Sequence, residues 1–179
     1  SISLKDVSGS DFASARALFS SVIGNEAMRF QFFLDDCKLS EQEKEQYRQL
    51  IHVDASGKQS FSLSDSVLMG SLKTLSVLLE KHYNRKVIIL IDEYDVPLAK
   101  ASENGYYDEM VLLLRNIFQQ ALKSNGSLHF AVMTGCLRVA KESIFTGLNN
   151  PKILYLTSVR FDEYFGFTDR EVRVMLAYY

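Results

Sequence analysis

The stretch KVIILIDEYDVPLAKA, residues 86–101, decides the fold class. Within it, five consecutive apolar residues, 87–91, run directly into three carboxylates, Asp92, Glu93 and Asp95. A short run that is apolar at every position is typical of a strand buried on both faces of a parallel sheet. Because ligands bind such sheets at the carboxyl ends of the strands, the three acids are candidates for a functional site. An acidic surface turn is the alternative interpretation.

The composition is that of a globular protein without a dominant charge. The 179 residues are 47% hydrophobic and 23% charged, and their formal net charge is -2. This length suits one domain, and the near-neutral charge does not indicate direct binding to nucleic acid or to an anionic membrane. Two cysteines without a CxxC pair indicate a reduced, cytoplasmic protein. No apolar run approaches the ~20 residues of a membrane-spanning helix.

Helical and strand patterns alternate along the chain, which predicts an α/β fold with a parallel sheet covered on both faces. The predicted strands cover residues 1–7, 86–91, 128–134 and 152–157. The predicted helices begin at residues 11, 26, 40, 64, 107, 136 and 168, and a polar loop is predicted over residues 100–107. We expect a single domain over residues 1–179, with a helical insertion at about 26–52 and the start of a C-terminal helical region at about 161–179.

Two of the predicted strands end on polar side chains. Asp92 and Glu93 follow one strand, and Thr134 ends the strand over residues 128–134. Because the carboxyl ends of parallel strands lie at the same edge of a sheet, these side chains are expected to face one crevice. One carboxylate that holds a hydrated Mg²⁺ and a second that polarises a water are the groups that hydrolysis of a phosphoanhydride requires.

Apolar residues followed by Asp-Glu form the Walker B pattern of P-loop ATPases, and longer stretches extend the likeness. The sequence resembles the bacterial AAA-ATPase-like family in VIILIDEYDVPLAKA, GYYDEMVLLLRNIFQQALK, FAVMTGCLRVAKESIFTGLNN and VRFDEYFGFTDREV. The resemblance implies a three-layer P-loop NTPase-like fold of the ASCE/AAA type, in which helices flank a mostly parallel sheet. It also implies Mg²⁺ and ATP as ligands, and often a nuclease-like PD-(D/E)XK domain in the same polypeptide.

The resemblance also implies roles for individual residues. Asp92 would be the Walker B aspartate that orders Mg²⁺ through water, and Glu93 would be the general base or water-orienting acid. Thr134 would occupy the sensor position on the adjacent strand. Arg138 would reach a γ-phosphate in its own subunit or in a neighbouring one. Three further residues lie in segments like those of the family without a defined role: Asp95, Asn149 and Asn150.

The sequence departs from the family in one respect, because none of its nine glycines belongs to a GxxxxGK[ST] phosphate-binding loop. In the family this Walker A strand and loop precede the strand that residues 1–7 resemble. We therefore expect a chain that lacks its nucleotide-binding front end and that by itself binds ATP weakly and hydrolyses none. The edge along residues 128–134 would then be exposed, and we expect it to pair with another chain or to lie under a helix.

Two other functions remain open from the sequence. A non-catalytic interaction scaffold on a P-loop-like fold would use the domain as a docking surface and would not need the acids. A metal-dependent nuclease would use Asp92, Glu93 and Asp95 directly, but DEYDVP lacks the lysine that PD-(D/E)XK chemistry requires after the acid pair.

Overall fold

The computed structural model describes residues 1–53, 61–136, 144, 145, 148, 151–155 and 166–178. The chain divides into two compact units, Ser1–Asn149 and Asn150–Tyr179. Among the described residues, the first unit holds a parallel sheet with its helices and the second holds a single helix. No helix in these ranges is long and apolar enough to cross a membrane.

In its described residues, the sheet of the first unit has three parallel strands in the order β1-β2-β3. The strands are β1 (Ile2–Ser3), β2 (Val87–Asp92) and β3 (Leu128–Met133). In this register Ile2 lies beside Ile91, which in turn lies beside Met133. The predicted α/β class, with a parallel sheet flanked by helices, is confirmed.

Five α-helices of the first unit and one of the second lie in the described residues. They are α1 (Phe12–Met28), α2 (Glu41–Leu50), α3 (Asp65–Tyr83), α4 (Val96–Asn104), α5 (Tyr107–Phe118) and, in the second unit, α6 (Asp169–Tyr178). A 3₁₀ turn (Gln31–Leu34) precedes α2, and a π-helical segment (Gln119–Lys123) continues α5. The predicted insertion at about 26–52 contains the 3₁₀ turn and α2.

Helix starts follow the capping patterns in the sequence. The backbone N–H of Ser40 donates to Glu43 Oε2 at 2.7 Å, while Ser40 Oγ accepts the N–H of Glu43 at 3.3 Å. This reciprocal pair is a capping box, as the spacing predicted. The helix α3 ends at Asn84, whose φ of 54° lies in the left-handed region. Asparagine tolerates that conformation better than most residues, so it ends the helix at little cost.

The core lies between one face of the sheet and the helices. Ile89 and Ile91 of β2 are buried on this face, where α3 packs against β2 and α1 against β1. Right-handed crossovers between strands that follow one another in the same spatial direction carry every connection to the same side of the sheet. The order β1-β2-β3 therefore explains why the helices collect on this face. Of the side chains that the structure describes, the largest fully buried ones are Tyr47, Phe19, Phe33 and Phe118.

The opposite face of the sheet is apolar and exposed, and we call it the open face. It consists of Ile88 and Leu90 on β2 with Phe130 and Val132 beside them on β3. Each of these side chains is between 45% and 48% exposed. The all-apolar strands predicted a sheet whose two faces are both covered, whereas the described part of the chain covers only one face.

Several predicted elements differ from the structure. The loop predicted over residues 100–107 begins inside α4, because Pro97 occupies the first turn of a helix, where its missing N–H costs nothing. Gly105, with φ of 81°, then ends α4. The strand predicted over residues 1–7 is confined to β1, although Leu4 and Val7 beyond it are fully buried.

Two more predictions are wrong in their boundaries or type. The helix predicted from residue 26 is instead the last turn of α1 followed by the 3₁₀ turn. The strand predicted over residues 152–157 does not form in its described part, residues 152–155, since those residues pair with no strand in the described ranges. The helix predicted from residue 136 falls almost entirely outside the described residues.

Candidate functional site

Polar side chains stand in a row at the carboxyl ends of the three strands. Ser3 of β1 lies in register with Asp92 of β2, and Thr134 follows β3 immediately after Met133, the partner of Ile91. Side chains alternate along a strand, so these three share the face of the sheet that carries Leu90. The site therefore lies where the open face meets the carboxyl edge of the sheet.

Asp92 and Thr134 are in direct contact. The hydroxyl of Thr134 donates a hydrogen bond to Oδ1 of Asp92. The backbone holds the same pair in register, because the N–H of Thr134 donates to the carbonyl of Ile91 at 2.9 Å. Both side chains are exposed, so the second oxygen of Asp92 is accessible to a ligand from the open side.

Glu93 has an unusual backbone conformation. Its φ is 55°, and within the described residues it shares a positive φ only with Asn84 among residues other than glycine. Glutamate has no side-chain group that favours this left-handed region, so the conformation costs about 1–2 kcal/mol. Such strain persists where the surrounding structure enforces it, and it concentrates at functional sites. The strain thus marks Glu93, next to Asp92, as a candidate for a functional role.

Asp95 differs from the other two acids of the IDEYD stretch because it is only 2% exposed. Its Oδ2 accepts the backbone N–H of Cys136 at 2.9 Å. Its backbone carbonyl also accepts the N–H groups of Leu98 and Ala99, at 3.1 and 3.0 Å, in the first turn of α4. Asp95 therefore connects the turn after β2 both to α4 and to the turn after β3.

The turn after β3 approaches Asp95 so closely that only glycine fits at residue 135. A Cβ atom on Gly135 would lie 2.6 Å from Asp95 Oδ1 and 2.9 Å from Tyr94 Cε1. Real Cβ atoms do not approach other atoms at such distances, so a side chain here would displace the turn. The sequence Thr134-Gly135-Cys136 shows a glycine after β3, but no local pattern indicates why this position requires one.

The structure brings together three of the four residues that the resemblance assigned to the site. Asp92, Glu93 and Thr134 lie at neighbouring strand ends, and their roles remain predictions. Arg138 lies outside the described residues, as do Asn149 and Asn150. Sequence reasoning missed Ser3, because its alignment with Asp92 depends on a strand register that no local pattern reveals.

The donor set at the site fits a hard cation held mainly by other ligands. Asp92 supplies one carboxylate, and Thr134 and Ser3 supply hydroxyl groups. Among the described residues, no group of three or more His, Cys, Asp or Glu side chains could enclose a metal ion. A single carboxylate beside hydroxyls suits Mg²⁺, which keeps most of its waters and takes its other ligands from substrate phosphates.

Comparisons with known proteins place the chain in context. The family model described as "Predicted AAA-ATPase" matches residues 1–145. A curated protein of Azotobacter chroococcum mcd 1, "Uncharacterized protein in vnfD 5'region", is 31% identical over 93 residues. That match spans 51% of this chain and only 18% of the relative, so the chain represents a small part of that protein's length. No solved structure matches the chain significantly.

Proposed function

Because the chain belongs to the predicted AAA-ATPase family, we propose that Asp92, Glu93 and Thr134 form the hydrolytic half of an ATPase site. Its substrate is Mg-ATP, and the reaction is hydrolysis of the terminal phosphoanhydride. The observation that carries the proposal is the hydrogen bond from Thr134 to Asp92 at the ends of adjacent parallel strands.

In this site Asp92 is the Walker B aspartate. Its carboxylate would hold Mg²⁺ through water, and the Thr134 hydroxyl orients that carboxylate. When bound, Mg²⁺ neutralises negative charge on the phosphates. Thr134 would occupy the sensor position, from which its hydroxyl holds the Asp92 carboxylate.

Glu93 is the residue that accepts the proton of the attacking water or orients that water. A carboxylate is a competent base when it lies within hydrogen-bond reach of its water. The strained backbone at Glu93 supports this role, because strain of this kind is retained where a side chain must point in a defined direction. Arg138, three residues beyond Gly135 in sequence, is assigned to the terminal phosphate in the same subunit or a neighbouring one.

The 179 residues contain no GxxxxGK[ST] loop. We therefore assign phosphate binding to a segment outside them. The open face and the edge of β3 are the surfaces on which such a segment would pack, since among the described residues no strand pairs with that edge and the open face is exposed next to Asp92 and Thr134. The 179-residue chain alone is then expected to bind Mg-ATP weakly and to hydrolyse none.

Calorimetry with Mg-ATP tests this division of the site. The full-length protein is expected to bind the nucleotide, and Asp92→Ala in that protein is expected to weaken binding in the presence of Mg²⁺ but not in its absence. The matched control is Asp108→Ala, which alters an exposed acid on α5. Micromolar binding of Mg-ATP by the 179-residue chain would overturn the assignment of phosphate binding to another segment.

A non-catalytic interaction scaffold is the second candidate, and the open face favours it. Four exposed apolar side chains on neighbouring strands form a surface to which a partner could bind. A scaffold would tolerate Asp92→Ala and Glu93→Ala in the full-length protein with its biological activity intact, whereas the ATPase would not.

If the chain is an ATPase, a nuclease-like domain in the same polypeptide, as the resemblance implies, would be the natural recipient of an ATP-driven change.

A further inference from the structure

We propose that Asp95 is a positioning residue that fastens the turn after β3 to the turn after β2 and so holds Thr134 against Asp92. This inference rests on the proposed ATPase site and assigns different roles to the acids of IDEYD. The proposed function assigns Asp92 and Glu93 to the ligand, whereas Asp95 acts only through the residues it holds.

The burial of Asp95 is the first observation. A carboxylate that is 2% exposed loses most of its hydration, and this loss must be offset by hydrogen bonds. Asp95 Oδ2 accepts the N–H of Cys136 at 2.9 Å, a charge-assisted bond across 41 residues of sequence. An acid that served only to start α4 could do so from the surface, where no desolvation would be incurred.

The second observation is the set of bonds that bracket Thr134. Its N–H donates to the carbonyl of Ile91 at 2.9 Å, and its carbonyl accepts the N–H of Tyr94 at 3.1 Å. The bond from Cys136 to Asp95 is the next attachment along the chain, two residues beyond Thr134. Residues 134–136 are therefore held at successive points over residues 91–95.

Fixing the backbone here also fixes the hydroxyl. Threonine is branched at Cβ and has few accessible χ1 rotamers, so the direction of its hydroxyl follows from its backbone position. Releasing Cys136 would leave Thr134 with its own bonds to Ile91 and Tyr94 but without the attachment two residues further along the chain. Gly135 lets the turn lie against the Asp95 carboxyl, since any Cβ at that residue would meet Oδ1 at 2.6 Å.

Catalytic groups must be held within about 0.5 Å of their productive positions, and a displacement of about 1 Å lowers rates by on the order of 10²-fold. In the full-length protein we therefore expect Asp95→Ala to lower kcat about 10- to 100-fold with little change in KM. Asp95→Asn retains the shape and one acceptor for the Cys136 N–H, so it is expected to rescue most of kcat. A further loss on adding Thr134→Val to Asp95→Ala should be small, because the hydroxyl is already misplaced.

Nuclear magnetic resonance on the 179-residue chain tests the geometry without ATP. The probes are hydrogen exchange at the Cys136 amide and the chemical shift of the Thr134 methyl. Asp95→Ala is expected to speed exchange at Cys136 at least 10-fold and to shift the Thr134 methyl, whereas Asp95→Asn and the surface control Asp108→Ala leave both near their wild-type values. A folded Asp95→Ala chain in which neither probe changes would overturn the proposal.

Should Asp95→Ala fail to fold, Gly135→Ala decides, because its methyl group pushes the turn away from an intact Asp95. It is expected to shift the Thr134 methyl and expose the Cys136 amide, and a folded variant with both probes unchanged would contradict the proposal. The two inferences fail separately. A full-length protein without ATPase activity rejects the proposed function while the resonance data still decide for or against Asp95. If the full-length protein is active and Asp95→Ala leaves its kcat unchanged, only the positioning role is rejected.

Discussion

Thr134 donates its hydroxyl hydrogen bond to Oδ1 of Asp92, and this bond joins the ends of two neighbouring parallel strands. The two residues are 42 positions apart in sequence, and the register of β2 and β3 places them side by side. The proposed Walker B and sensor roles both depend on this pair.

The Thr134 hydroxyl is expected to matter for turnover more than for stability. Thr134→Val keeps the branched shape and removes the hydrogen bond, so kcat of the full-length protein should fall about 10- to 100-fold, as for other residues that orient a metal-holding carboxylate. The free energy of unfolding should fall by less than about 1 kcal/mol, because Asp92 is exposed and water replaces the lost donor. Thr134→Ser is the matched control and should keep most of the activity. Unchanged kcat in Thr134→Val would exclude the sensor role.

Replacing Glu93 with glycine should stabilise the chain and abolish hydrolysis. Glu93→Gly relieves the left-handed strain at φ 55°, and after the larger entropy loss of glycine the free energy of unfolding should rise by about 0.5–1 kcal/mol. The same change removes the carboxylate, so hydrolysis by the full-length protein should be lost. Urea unfolding of the 179-residue chain measures the stability.

The converse control for Glu93 is Asn84, whose φ of 54° is nearly the same. Asn84→Glu places glutamate in the left-handed region outside the site, and it should destabilise the chain by an amount similar to that gained by Glu93→Gly. A Glu93→Gly chain that unfolds at lower urea than the wild type would show that the side chain stabilises the fold and would remove the argument from strain.

The edge strand β3 and the open face should drive self-association of the 179-residue chain. Edge strands present unpaired backbone groups, and β3 is an edge strand among the described strands, next to exposed apolar side chains. Val132→Lys places a charge on this face and should shift the chain toward the monomer in size-exclusion chromatography with light scattering. Leu112→Lys, at a residue that is 56% exposed on α5, should not. A wild-type chain that stays monomeric at every accessible concentration would refute this prediction.

Acid should weaken the attachment of α2 to α3. The hydrogen bond from Lys81, together with the backbone N–H of Ser40, lowers the pKa of Glu43 from 4.5 to about 2. Because the folded-state pKa is the lower one, the stabilisation is fully present above about pH 4.5 and is lost as the pH falls toward 2. Lys81 is 43% exposed, so solvent screening limits the effect to about 1 kcal/mol.

This pH dependence is measured by urea unfolding of wild-type and Lys81→Met chains at pH 7 and at pH 2.5. The difference between the two chains should shrink at the lower pH. Lys100→Met is the matched control, since Lys100 contacts Glu103 within the same helix at 2.7 Å. A difference of equal size at both pH values would show that the Glu43–Lys81 pair does not carry the effect.

The parts of the fold that the sequence predicted well are those set by local chemistry. The five apolar residues before Asp92 identified β2, and the capping pair Ser40 and Glu43 identified the start of α2. The loop predicted after Pro97 was wrong. The prediction rested on polar composition, although proline is well accommodated in the first turn of a helix.

What the sequence did not predict at the site depends on distant partners. The burial of Asp95 follows from a contact with Cys136, 41 residues away, and nothing in IDEYD distinguishes that acid from its exposed neighbours. The positive φ of Glu93 could not be anticipated either, because glutamate is not a residue type that favours the left-handed region. Ser3 joined the site only through the register of β1 with β2.

The central claim is that the acids at the end of β2 perform ATP hydrolysis, and the steady-state hydrolysis rate of the full-length protein tests it most directly. The account predicts Mg²⁺-dependent hydrolysis that Glu93→Gln abolishes while Mg-ATP binding persists. Glu109→Gln, which alters an exposed acid on α5, should retain the wild-type rate. A full-length protein that neither binds nor hydrolyses ATP, or a Glu93→Gln variant that hydrolyses it at the wild-type rate, would contradict the account.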